Sequence, residues 1–276
     1  MTYVSIIIPT FNKSSLVCDI VRKLNQQTFK DFEVLVCDDG STDDTVISMR
    51  MLRRQERHLK IKIFKTGLTD TFGMCNAINL GLRHASGPLT FLVNDDIYLH
   101  PQCIEQHVMV QQSTKMRHAF IGPRLRCPPY TIGQFVSDES ILRGWYIKYT
   151  DNKQCDGFAI YRKRMMVSSN LSVSTQALCN IGGYNEFFQR YTGAIDRDVY
   201  YRLSLAKIKV LFLTKAQAYS ITYDTDQYRQ TTWLQDNTTR DGLNVSQWKR
   251  QQMRYSEKME MQAREHRPSP IVRRKS

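Results

Sequence analysis

No apolar run in these 276 residues approaches the roughly 20 needed to cross a bilayer, which excludes a membrane-spanning helix of ordinary length. The chain opens directly into a strand-like segment, with neither a basic leader region nor a cleavage site, so no signal peptide is expected. Cysteine is scattered and odd in number (Cys18, Cys37, Cys75, Cys103, Cys127, Cys155, Cys179) and never falls in C-x-x-C spacing. That pattern argues against a disulfide framework or a zinc site, and for a reducing compartment. Internal repeats are also missing. What is abundant is positive charge: 39 Lys and Arg stand against 26 Asp and Glu, a formal net charge of +13. Such a balance favours an acidic partner, whether a nucleotide diphosphate, an anionic lipid surface or a nucleic acid. The excess gathers towards the end, where residues 248–276 carry nine Lys/Arg against three Glu. A hydrophobic content of 41% can build a core and excludes wholesale disorder. The length suits one large α/β domain, or a domain with an appendage.

The first hundred residues alternate strand and helix patterns. Val4 to Ile8 is a β-branched run, closed by Pro9, that reads as a buried parallel strand. Ser14 or Ser15 is expected to cap a helix running to about Gln27, with Leu16, Ile20 and Leu24 on one face. Phe32 to Cys37 is a second strand, ending in Asp38-Asp39-Gly40-Ser41. Ser41 and Asp44 have the spacing of a capping box for a helix to about Gln55. Ile61 to Phe64 is a third strand, Thr71 to His84 a helix stopped at Ser86-Gly87, and Leu89 to Val93 a fourth strand. Strands joined by helical crossovers predict a doubly wound, mostly parallel sheet, in which ligands bind at the carboxyl ends of the strands. Those ends carry Thr10-Phe11-Asn12, Asp38-Asp39, Thr66-Gly67 and Asn94-Asp95-Asp96. Paired carboxylates at such an edge suit a divalent cation that bridges to a diphosphate, because hard cations take oxygen ligands.

The second half is less regular. Residues 123–157 read as a long loop or small subdomain, followed by a strand over Ser169 to Val173 and a helix from Thr175 to Ile181, stopped by Gly182-Gly183. A helix over Ile195 to Lys207 turns Val199 and Leu203 inward, with Asp198 expected to support its start. Val210 to Leu213 is a further strand and Ala216 to Thr222 an edge strand. Val245 to Glu265 is a basic helix candidate ended by Pro268 and Pro270, with a disordered tail expected beyond it.

Taken together, these segments resemble glycosyltransferase family 2, the inverting nucleotide-sugar transferases of GT-A fold. The resemblance covers about residues 3–222 and is carried by Val4 to Lys13, Asp31 to Asp43, Asn76 to Gly87, Asn94-Asp95-Asp96, Gly182 to Glu186 and Asp196 to Val199. It implies a GT-A domain over 1–222, with a nucleotide-sugar-binding half (1–100) and an acceptor-binding half (101–222). Residues 223–276 are then a basic helical C-terminal extension. It further implies that Thr10 and Phe11 line the nucleobase pocket and that Asp39 accepts a hydrogen bond from the base. Asp38 is an alternative for supporting the turn, and the pair cannot be separated by sequence. Asp95 would hold the ribose or the metal shell. Asp96 would bind Mn²⁺ or Mg²⁺, which neutralises the departing diphosphate. The family's base stands in a Glu-Asp pair at a helix start. Here the pair reads Ile195-Asp196, so Asp196 is the expected base that takes the acceptor's proton. Gly182-Gly183-Tyr184 would border the acceptor.

Several departures from the family pattern matter. Asn94 stands for the first Asp of the usual D-x-D triplet, and Tyr219 to Tyr223 lacks the His that often completes the metal shell. Either Asp96, diphosphate and water hold the metal, or metal dependence is weak. Cys75 replaces a basic residue before Asn76, leaving Arg162 or Arg164 as candidates to meet the phosphates. The processive-synthase signature Gln-x-x-Arg-Trp is absent, so transfer of a single sugar is expected. For the acceptor, a surface glycan or lipid-linked glycan leads, with the basic tail resting on anionic lipid. DNA bearing a hydroxymethylated pyrimidine is the alternative, through Arg50, Arg53, Arg54, Arg57, Lys115, Arg117, Arg162, Lys163 and Arg164, with the aromatics of Arg143 to Tyr149 stacking an extruded base. A protein acceptor is a third reading. From a different class, the sheet could serve as a non-catalytic nucleotide-sugar or nucleic-acid binding module. A nucleotidyltransferase would be expected to carry a glycine-rich basic loop after its first strand, which Pro9-Thr10-Phe11-Asn12 is not. The expected location is cytoplasmic, soluble or peripheral to a membrane.

Overall fold

The computed structural model describes residues 2–67, 73–127, 150–155, 158–161, 168–188, 194–221 and 267–274. In chain order the elements are β1 (Val4–Thr10), α1 (Ser14–Lys23), β2 (Phe32–Asp38), α2 (Thr45–Gln55), β3 (Lys60–Lys65), α3 (Met74–His84), β4 (Leu89–Leu92), β5 (Ile97–Leu99), α4 (Cys103–Ser113), β6 (His118–Ile121) and β7 (Arg124–Cys127). They continue with β8 (Thr150–Cys155), β9 (Phe158–Tyr161), β10 (Leu171–Ser174), α5 (Thr175–Asn180), α6 (Ala194–Leu205), β11 (Lys209–Leu213) and β12 (Ala218–Ile221). The main sheet runs in the order β3-β2-β1-β4-β10-β6-β11-β9-β8. The first four strands are parallel, as the sequence predicts, while β10 runs antiparallel to both β4 and β6. A small second sheet, β5-β12-β7, sits beside it.

β1 is buried along its whole length because both of its faces are covered. Val4, Ile6 and Ile8 join a cluster with Val17, Val21, Met49, Leu52 and Phe91 under α1, α2 and α4. Ile7 faces the opposite cluster with Cys37, Ile78, Leu82, Val199 and Leu203 under α3, α5 and α6. The two-residue period of a strand thus serves two helical layers at once. Helix α3 packs so close to β1 that a Cβ on Gly81 would lie 2.6 Å from Ile7 Cγ2.

The strand does not stop at Pro9, since β1 stays paired with β2 as far as Thr10↔Asp38. Its pairing with β4 ends earlier, at Ile7↔Leu92. Thr10 O accepts from Asp39 N on the β2 side, while Ile7 O accepts from Val93 N on the β4 side. Alternation puts the nitrogen of Pro9 on the β4 side, beyond the last paired residue, where no donor is required.

Both expected helix caps are replaced by another residue. Ser14 lies inside α1, its hydroxyl bonded to Ser48 Oγ at 2.8 Å, and no Ser41–Asp44 capping box forms. Instead the Asp43 carboxylate accepts from Ser14 N at 3.1 Å and from Thr45 N at 3.0 Å, so one side chain satisfies the first amide of α1 and of α2. Burial would raise its pKa, but the bonds from Thr45 and Ser14 outweigh that and hold it below the usual carboxylate range. Asp198 does not support the start of α6 either. It faces Arg202 one turn on, with Nε at 2.9 Å, in a buried ion pair whose guanidinium also bonds Ile181 O.

The expected disordered tail is ordered over 267–274. It forms an extended strap across α5 and the end of α3. Ile271 N donates to Cys179 O at 2.9 Å and Arg274 N to Arg83 O at 2.7 Å. The Arg273 guanidinium holds Ala85 O at 3.0 and 2.6 Å, and Ile271 packs against the core cluster under α3. The candidate helix at 245–265, the aromatic run 143–149 and Arg162, Lys163 and Arg164 lie outside the described residues. No helix among the described residues is long and apolar enough to cross a membrane.

Candidate active site

The sheet changes direction of growth at β1, with β2 on one side and β4 on the other, and this opens a crevice at their carboxyl ends. Thr10 is buried at its floor and Phe11 half-buried beside it, outside both core clusters, which fits a lining residue better than a packing one. Asn12 adopts φ 51°, which asparagine tolerates, and ties the β1 loop to the β2 loop. Its Oδ1 accepts from Thr42 N at 2.8 Å and its own N–H donates to Ser41 Oγ at 2.8 Å.

The aspartate pair, inseparable by sequence, divides cleanly. Asp38 is fully buried and accepts from Ser41 N at 3.2 Å, so it supports the turn. The Asp39 carboxylate accepts from Thr66 Oγ1 at 3.3 Å and from Gly73 N. Burial, helped by the charge of Asp38, raises its pKa against those two donors. Each oxygen keeps a lone pair, so a further donor can be accepted.

Asp95 is buried and paired with Lys13, Nζ to Oδ1 at 2.8 Å. Burial raises its pKa and Asp96 adds to that, while Lys13 and Thr10 oppose. Lys13 escaped the sequence reading as a partner of Asp95. The signal, a lone Lys after the first strand, lies 82 residues from the carboxylate it meets.

Asp96 Oδ1 and Asn94 Oδ1 are buried oxygen atoms without a hydrogen-bond partner among the described residues. Orphaned oxygens two residues apart suit a cation with oxygen preference, so the residues present fit Mn²⁺ or Mg²⁺. Among the described residues no three His, Cys, Asp or Glu side chains gather to hold a metal. Protein ligands to a cation here would therefore be few, with diphosphate and water completing the shell. Cys75 is buried in the core, its thiol pushed up by burial, and offers nothing to a phosphate.

Asp196 stands in the first turn of α6. Its Oδ1 accepts from Ser168 N at 3.3 Å and from the Ser168 hydroxyl, which in turn meets Tyr184 Oη at 2.7 Å. Burial raises its pKa to about 6, against the bonds from Ser168 and the charge of Arg124. A carboxyl titrating there is poised for proton transfer near neutrality. Sheet register explains why it belongs to the same edge as the crevice. β10 is antiparallel to β4 with Leu171↔Leu92, so Ser168, three residues earlier, lies past the carboxyl end of β4, where Asn94 to Asp96 begin.

Gly182 and Gly183 have φ of 83° and 66°, a left-handed pair that glycine accepts readily. The turn delivers Tyr184 into the core, and Asn79 clamps it there. Asn79 Oδ1 accepts from Tyr184 N and its Nδ2 donates to Tyr184 O, both at 2.7 Å, with a further bond to Glu186 at 2.9 Å. Asn79 and Ser168 were missed by sequence reasoning, since buried single-residue clamps leave no periodic signal. The exposed arginines Arg50, Arg53, Arg54 and Arg57 lie on or just after α2, and Lys115 and Arg117 on the turn after α4.

The family model described as "Glycosyl transferase family 2" matches residues 5–167. Validoxylamine A glucosyltransferase of Streptomyces hygroscopicus is 28% identical over 220 residues, 72% of this chain and 50% of that protein. A GalNAc(5)-diNAcBac-PP-undecaprenol beta-1,3-glucosyltransferase of Campylobacter jejuni is 35% identical over 97 residues, 35% of this chain and 30% of that protein. The chain thus spans half or less of the length of these relatives. Among solved structures, S. aureus TarS in complex with UDP-GlcNAc superposes with a TM-score of 0.62 at 18% identity, covering 84% of this chain and 62% of that one. Mannosyltransferase PcManGT from Pyrobaculum calidifontis, in complex with GDP-Man and Mn²⁺, gives 0.62 at 16% identity, covering 82% and 59%. At such identities the likeness shows the fold, which is GT-A.

Proposed function

The chain belongs to glycosyl transferase family 2, and from that premise we propose that it moves one sugar from a nucleotide-diphosphate sugar to an acceptor hydroxyl, inverting the anomeric centre. The observation that carries this is the common edge: half-buried Asp196, its pKa raised to about 6, is held by Ser168 past the carboxyl end of β4, the same edge on which the orphaned oxygens of Asn94 and Asp96 follow that strand. Thr10 and Phe11 line the base pocket and Asp39 accepts from the nucleobase. Asp95, braced by Lys13, orients the ribose side. Asp96 is the residue that would hold Mn²⁺ or Mg²⁺, and the ion when bound neutralises charge on the departing diphosphate. Asp196 takes the acceptor's proton while Ser168 fixes the carboxylate's direction.

UDP-glucose is the first donor to try, because two of the relatives are glucosyltransferases and a structural neighbour binds UDP-GlcNAc. A lipid-linked glycan is the acceptor class that the undecaprenol-linked relative supports. Exposed arginines on α2 fit the anionic surface on which such an acceptor is presented. The test is a panel of UDP-, GDP-, TDP- and CDP-sugars with Mn²⁺ or Mg²⁺, with polyprenyl-diphosphate glycans or hydroxymethylated DNA added, following nucleotide release. Release that rises with the lipid-linked glycan and is lost in Asp196→Asn supports this function. Stimulation by the DNA alone would move the acceptor to nucleic acid. Donor binding without turnover under any condition would leave only a binding module.

A further inference from the structure

We propose that the strap over 267–274 is a positioning element of the transfer site, anchored by Ile271, which holds the Gly182-Gly183 turn so that Tyr184 and Ser168 keep Asp196 aimed at the acceptor. The proposal rests on Asp196 being the base, and it adds to that reading a remote part of the chain.

Contact between strap and turn is direct and leaves no room. A Cβ built on Gly182 would lie 2.6 Å from Pro268 O and 2.8 Å from Ser269 O. One built on Gly183 would lie 2.4 Å from Ile271 Cδ1 and 2.4 Å from Asn79 Oδ1. The strap is tied on both sides of this turn. Ile271 N bonds Cys179 O at the end of α5, and Arg273 and Arg274 bond Ala85 O and Arg83 O at the end of α3. Late carbonyls of a helix lack partners within it, and cations are favoured there, so these are ready sockets for a basic segment.

From the turn the path inward is short. Gly183 N donates to Leu178 O at 2.8 Å, Asn79 clamps both backbone groups of Tyr184, and Tyr184 Oη meets Ser168 Oγ at 2.7 Å. Ser168 then donates to Asp196 from both its backbone and its hydroxyl. The other groups acting on this corner are Arg124 from β7, Cys75 from α3, Glu186 beside Asn79 and the Asp198–Arg202 pair of α6. The route by which the strap reaches Asp196 runs through the turn, Tyr184 and Ser168.

The test uses the full chain with Ile271→Asp, Ile271→Val and Arg273→Ala. Three readouts are followed: hydrogen exchange at the Gly183 and Tyr184 amides, affinity for UDP, and the pH profile of UDP-glucose turnover. Ile271→Asp is expected to speed exchange at Tyr184 about tenfold or more and slow turnover by about tenfold, with UDP affinity unchanged. The ascending pH limb should move to lower pH, because water replaces Tyr184 beside Asp196. Ile271→Val should behave as the parent. Arg273→Ala keeps the anchor and removes two bonds, so an effect of about two- to threefold in the same direction is expected; it carries the test should Ile271→Asp fail to fold. Wild-type turnover and pH limb despite accelerated exchange would overturn the proposal, as would unchanged exchange. If Asp196→Asn is dead while Ile271→Asp is normal, only the role of the strap falls. If Asp196→Asn keeps full turnover, the base assignment itself falls.

Discussion

The two sides of the crevice hold their carboxylates in different ways. On the proposed donor side Asp38, Asp39 and Asp43 are fixed by backbone amides and hydroxyls of the loops after β1, β2 and β3, while Asp95 reaches across the sheet to Lys13. On the proposed acceptor side Asp196 hangs from Ser168, which leans on Tyr184, which is clamped by Asn79 from 105 residues away. Fixation by neighbouring loops fits a rigid pocket for the nucleotide that we propose it takes. Relayed fixation would let the half proposed to meet the acceptor be rebuilt without disturbing the other. The contrast also divides expected failures: injury on the donor side should cost binding, and injury on the acceptor side should cost turnover.

The sharpest break comes from Asp196→Asn, expected to lower turnover by roughly 10²–10⁴-fold while isothermal titration gives an unchanged UDP affinity. A loss of UDP affinity there would erase the division. On the donor side Asp39→Asn should weaken UDP binding by about tenfold or more, the worth of a hydrogen bond to a charged group, with the pH limb of turnover kept. Next in size is Gly81→Ala, which drives a methyl group into Ile7 between α3 and β1 and should cost about 1–3 kcal/mol in urea unfolding. The pH dependence joins both sides. Turnover should rise through about pH 6 as Asp196 loses its proton. Stability should fall across the interval between the ordinary carboxylate pKa and that value, because the folded chain holds the proton more tightly than the unfolded one. Activity and stability would then move in opposite directions between about pH 4 and 6, with thermal melts and initial rates as the check. The smallest effect is expected from Arg50→Glu with Arg54→Glu on the exposed face of α2, within about 0.5 kcal/mol in stability, and read instead as reduced flotation with anionic vesicles.

Much of the donor half was legible because its signals are local. β-branched runs ending in aspartate announce buried parallel strands and their polar ends, and the four strands at the start of the chain lie close to where the pattern puts them. Caps were misread because the serines that looked like caps compete with Asp43, whose position between two loops is fixed only once both strands are paired. Pro9 looks like a stop because sequence does not tell on which side a strand lacks a neighbour. Asp198 and Arg202 stand four apart, a spacing that predicts an ion pair on a helix, and that reading would have removed Asp198 from the helix start. The strap was illegible: a proline-flanked basic segment looks like a tail, and its partners at Cys179, Arg83 and Ala85 are about a hundred residues or more away.

Asp43 has a consequence for acid conditions. Because it answers the first amide of α1 and of α2 together, the loops that follow β1 and β2 share one latch, and neither can loosen alone. Its pKa is held low, so the latch is closed at neutral pH and opens only as pH falls through the depressed value. Protonation would then release two helix starts in one event. The two loops would come apart in acid as a unit, after Asp39 and Asp95, whose pKa values are raised, have already taken up their protons.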